Sequence, residues 1–84
     1  MREFLELADV DSFMKIAENA NLIVRIDPYV FINVYGLIFY INLGNLDKRD
    51  VRRVIVGLKD KIVVVKNIEV KGSIHQFLKD KDKG

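Results

Sequence analysis

Two strongly apolar runs, Leu22 to Ile32 and Leu37 to Leu43, are separated only by Asn33-Val34-Tyr35-Gly36. Asparagine first and glycine last is the order suited to a type I turn closed by a left-handed glycine bulge. The runs are therefore expected to fold back on each other as a β-hairpin. Pro28 interrupts the first run and removes a ladder donor, which places it at a sheet edge or a bulge. In-register pairing about the turn would set Phe31 with Phe39 on one face and Val30, Ile32, Ile38 and Tyr40 on the other.

The residues after the hairpin are as directive. In Leu46-Asp47-Lys48-Arg49-Asp50-Val51, Asp47 can cap the free amides of a helix, Asp50 falls at its third position, and Leu46 and Val51 stand where a hydrophobic staple clamps its start. The helix, about Lys48 to Lys59, carries Val51, Val54, Ile55 and Leu58 on one face and Arg49, Arg52 and Arg53 on the other. Gly57 weakens its last turn. Ile62 to Val65 and Ile68 to Val70 then read as two strands around Lys66-Asn67. Upstream, Asp9 or Asp11 can cap a helix with Phe13, Ile16, Ala17 and Ala20 on its buried face, and Asn19 and Asn21 suit a left-handed terminus. Glu3 to Ala8 fits both a strand, through Leu5 and Leu7, and a helical stripe, through Phe4, Leu7 and Ala8; helix is the reading adopted. Gly72-Ser73 breaks the sheet, Ile74, Phe77 and Leu78 suit a short final helix, and residues 79–84 read as a solvated tail. The order αββαββα predicts a single α+β domain over 1–84, a two-layer sandwich with an antiparallel-rich sheet and helices on one face.

Composition narrows the function classes. Eighty-four residues, half of them hydrophobic, suffice for one core. The absence of cysteine removes disulfides, thiolate catalysis and cysteine-based zinc sites. Acids within Met1 to Glu6 and the lack of any long apolar run argue against a leader or a membrane span, so a cytoplasmic, soluble chain is expected. No threonine or tryptophan and one glutamine lean toward a thermophile. Charge is lopsided. Through Asp47 there are three basic and seven acidic residues, and from Lys48 onward eleven basic and five acidic. Such a basic half attracts phosphate backbones, though lysine-rich surfaces also serve solubility alone.

The element order and its joints resemble the archaeal and eukaryotic translation initiation factor 1 family. The carrying residues are Ile23-Val24-Arg25-Ile26, Tyr35-Gly36, Gly44-Asn45-Leu46-Asp47, the basic helix from Lys48, and Val65-Lys66-Asn67-Ile68-Glu69-Val70-Lys71-Gly72. The resemblance implies a ribosome-associated, RNA-contacting role in translation, with RNA or the small ribosomal subunit as partner. In that family a cluster of bases in the first hairpin loop contacts the ribosome; here Asp27 to Val34 contains none.

The candidate nucleic-acid residues are Lys48, Arg49, Arg52, Arg53, Lys59, Lys61 and Lys66, because arginine forks and lysine ammonium groups suit phosphate. The competing reading of the arginines is a solvated face in weak ion pairs. Tyr29, Val30, Ile32, Ile38 and Tyr40 are the candidate protein interface, for a homodimer or another protein, since short helices on one face would leave the other bare. His75 lacks a catalytic partner, Ser12 and Ser73 lack a base, and Asp9 with Asp11 does not complete a metal site. The expectation is therefore a binding module, not an enzyme, without cofactor or metal.

Overall fold

In the hairpin, Val34 pairs directly with Leu37, leaving Tyr35 and Gly36 as a two-residue loop with φ of 49° and 93°. Positive φ at both central positions is the mirror-image turn whose twist matches that of paired strands. The expected glycine bulge is absent, and the register moves by one residue. Phe31 faces Tyr40 and Ile32 faces Phe39. A one-residue slip exchanges the faces, so Phe31, Ile38 and Tyr40 share one side, and Val30, Ile32, Phe39 and Ile41 the other.

The computed structural model describes residues 4–66 and 72–82. Its elements are β1 (Phe4–Glu6), α1 (Val10–Ala17), β2 (Leu22–Ile26), β3 (Tyr29–Val34), β4 (Leu37–Asn42), a 3-10 turn (Leu43–Asn45), α2 (Lys48–Gly57), β5 (Ile62–Val64) and α3 (Ser73–Asp82). The fold is α+β. Five strands form one mixed sheet in the order β1-β4-β3-β2-β5. The long central ladders are antiparallel and the short edge ladders, β1 with β4 and β2 with β5, are parallel.

Three local expectations change. Ile26 pairs with Tyr29, so Asp27-Pro28, joined by a cis peptide bond, forms a second tight loop between two central strands. The proline's missing N–H falls in the turn, where no ladder partner is lost, and Pro28 lies at neither an edge nor a bulge. The segment from Phe4 to Glu6 is a strand, not a helix. Alternation prevails there because Phe4 stacks on Phe77, centroids 4.8 Å apart, while Leu7 packs into the core on the opposite face. Finally, α1 ends without a left-handed asparagine. Glu18, Asn19 and Ala20 donate back three residues, and the Asn21 side chain is used elsewhere. The proposed strand from Ile68 to Val70 lies outside the described residues.

The β1-α1-β2 and β4-α2-β5 connections cross the sheet in the same direction. Crossovers of one hand place their helices on one face, and α1 and α2 pack there together over Ile23, Val30, Ile32 and Ile41. Phe13, Ala17 and Val54 are fully buried at that contact. The opposite face is not bare. α3 covers it with Ile74, Phe77 and Leu78, packed on Ile26, Phe31, Ile38 and Tyr40. Helices thus lie on both faces, and α3 extends to Asp82 through the stretch expected to be a tail.

Candidate nucleic-acid interface

Asp47 builds the base of this site by accepting the Asp50 amide at 2.8 Å, which fixes the first turn of α2. From that start, spacings of three and four residues align Lys48, Arg49, Arg52 and Val56 along one outward stripe. Shallow grooves flank it. Leu46, Lys48, Val51, Arg52, Ile55 and Val56 line one, and Met14, Arg49, Arg52, Arg53, Val56 and Gly57 line the other. Arg52 and Val56 border both, and Val56 remains 58% exposed.

The seven predicted bases do not form one patch. Lys48, Arg49 and Arg52 are exposed and, among the described residues, take part in no ion pair. Arg53 is turned away toward α1: its guanidinium donates to Asp11 and lies 3.5 Å from Asp50. The Asp11 hydrogen bond, then the charges of Asp11 and Asp50, raise its pKa above the ordinary arginine value. Its positive charge is therefore largely matched within the molecule, as the solvated-face reading anticipated. Lys59 and Lys61 are exposed in the loop between α2 and β5. Lys66 follows Val65, whose N–H donates to Arg25, and so stands at the other end of β5.

Four of the five proposed protein-interface residues lie inside the fold. Val30 and Ile32 are wholly buried beneath α1 and α2, while Ile38 and Tyr40, 3% and 4% exposed, lie beneath α3. The physical reason is the shifted register together with the helix on the second face. Half-buried Tyr29 contacts Phe31, Tyr40 and Phe77 edge-on or tilted. Lys81 closes this aromatic cluster, its ammonium 5.8 Å from the Tyr40 ring centre and 5.5 Å from that of Phe77. The nearness of Tyr40 raises the lysine pKa.

The residues with catalytic chemistry are occupied structurally or stand alone. Ser12 donates to Asp9 at 2.7 Å, and Asp9 also accepts the Asp11 amide, capping α1. The Ser12 bond, then the amide, hold the Asp9 carboxyl below its usual pKa. His75 is exposed on α3. Two features escaped the sequence reading. Val56 lies off the buried spacing of α2, and its neighbours gave no sign that it would interrupt the basic stripe. Gly57, read only as a weak helix residue, marks a close approach: a Cβ there would lie 2.6 Å from the Met14 methyl.

Comparison with family models, curated proteins and solved structures gives no match for this chain.

Proposed function

We propose that this chain is a non-enzymatic RNA-binding module that grips phosphates along the outer face of α2. The observation carrying the reading is that Lys48, Arg49 and Arg52 share one exposed stripe without acidic partners among the described residues, while Arg53 beside them is held by Asp11 and Asp50. Three uncommitted cations at helical spacing suit successive phosphates better than they suit stability. Arg49 and Arg52 supply planar forks, and Lys48 a point charge. Lys59 and Lys61 extend the positive surface past the helix end. A role on the small ribosomal subunit, as the initiation factor resemblance implies, is the specific form of this proposal.

Binding of a single-stranded RNA, followed across a salt series, tests it. Removing one lysine or arginine from a phosphate should flatten the log–log salt slope by about 0.7 for single strands. Arg49→Glu and Arg52→Glu should each weaken binding and flatten that slope, whereas Arg53→Gln should do less. No RNA binding by the native chain even at low salt would refute the proposal. Co-sedimentation with small ribosomal subunits separates the ribosomal form from general RNA affinity.

A further inference from the structure

The most exposed large apolar side chain among the described residues is Tyr35, at 84%. It occupies the hairpin tip with φ of 49°, a conformation that asparagine, aspartate and glycine adopt far more readily than an aromatic residue. Two asparagines hold the tip. The Asn21 side chain accepts the Tyr35 amide at 2.7 Å and the Asn33 side chain accepts the Gly36 amide at 3.0 Å. The ring is thus carried outward on a braced backbone, not packed against the body. Local turn chemistry gives no reason for a tyrosine there.

Topology puts two cations at the same end of the sheet. β5 starts at Ile62 opposite Ile23, and β2 starts at Leu22 opposite Asn33, two residues before Tyr35. Lys61, which precedes Ile62, is therefore about 10 Å, two strand spacings, from the Asn33 position. Lys59 belongs to the same loop, with Asp60 between them. The α2 stripe leads directly into that loop, so a strand of RNA lying along α2 would reach this end of the sheet.

We infer that Tyr35 is a stacking platform for an unpaired RNA base, with Lys59 and Lys61 on the adjoining phosphates. This rests on the RNA-binding reading and adds to it a preference for single strands, because a paired base offers no free face. Leu22 and Leu37, 48% and 55% exposed, flank the same end. They make a protein contact the competing outcome.

Anisotropy titrations of a labelled oligouridylate and of an RNA duplex of equal length decide between them. The native chain should favour the single strand. Tyr35→Asn, whose side chain is at home in this turn, should weaken single-strand binding about tenfold and leave duplex binding unchanged. Tyr35→Phe should bind like the native chain, and Tyr35→Leu like the asparagine variant. If Tyr35→Asn or Tyr35→Leu retains full affinity while Arg52→Glu loses it, the stacking role is wrong and the α2 reading stands. If the native chain binds neither RNA at low salt, both fall.

Discussion

Replacing Phe77 by alanine probes the claim that α3 seals the second face of the sheet. The ring lies 4.8 Å from Phe4 and from Tyr40, and 5.6 Å from Tyr29 and Phe31, measured between centroids. Truncating a fully buried phenylalanine costs about 3–5 kcal/mol. Phe77 is half-buried, which scales that cost to about 2 kcal/mol, and the loss of oriented aromatic pairs adds about 1 kcal/mol when their non-additivity is respected. The expected loss of about 3 kcal/mol is large against the roughly 4–13 kcal/mol typical for a chain of this length. Urea unfolding followed by circular dichroism and tyrosine fluorescence measures it. A fall in the m-value with the loss of stability would mark undocking of α3, since surface would then be exposed before global unfolding. Lys79→Ala, an exposed change on the same helix, should stay within about 0.5 kcal/mol. A Phe77→Ala loss below about 1 kcal/mol with an unchanged m-value would show that α3 does not pack on these rings.

Asp47→Ala should destabilise the chain by about 1 kcal/mol through loss of the α2 cap, with Asp47→Ser recovering most of it in the same urea assay. Tyr35→Asn should raise stability by about 1 kcal/mol by relieving the left-handed strain, so a thermal melt should move upward although a large ring is removed. At acid pH, Asp9 contributes in a defined sense: its folded pKa lies below the unfolded value, so its contribution is present above the unfolded pKa and is lost as pH falls through the folded one. Ser12→Ala removes the main cause of that lowering and should flatten the acid limb of stability against pH.

Much of the architecture was legible because its signals are local. Asp47 with Val51 announced α2, the spacing of Phe13 and Ala17 announced α1, and Ile74, Phe77 and Leu78 announced α3. What failed was decided at long range. The hairpin register depends on whether Tyr35 accepts positive φ, and the bond to its amide comes from Asn21, fourteen residues away, in addition to the local brace from Asn33 to Gly36. The strand at Phe4 depends on β4 and on Phe77, neither of which its own alternation names. The basic helix was visible as a composition, but the division between Arg52, without an ion pair among the described residues, and Arg53, bound to Asp11 forty-two residues earlier, required the packing of α1 on α2.

That packing also explains part of the charge asymmetry without invoking a ligand. Both crossovers start their helices at the end of the sheet near Asp27-Pro28 and finish them near the Tyr35 tip. Capping draws Asp9 and Asp47 to the first end, while Lys59 and Lys61, just past the last turn of α2, are favoured by the helix dipole. Lysines there carry little functional weight on their own. Lys48 and Arg49 differ, because they occupy the first turn of α2, where the dipole disfavours cations by about 0.3–1 kcal/mol each. Asp50 offsets them only in part, since it faces Arg53. Among the described residues, these two cations and Tyr35 each carry a local cost that the fold does not explain. The proposed anionic ligand with an exposed aromatic base would account for both costs together.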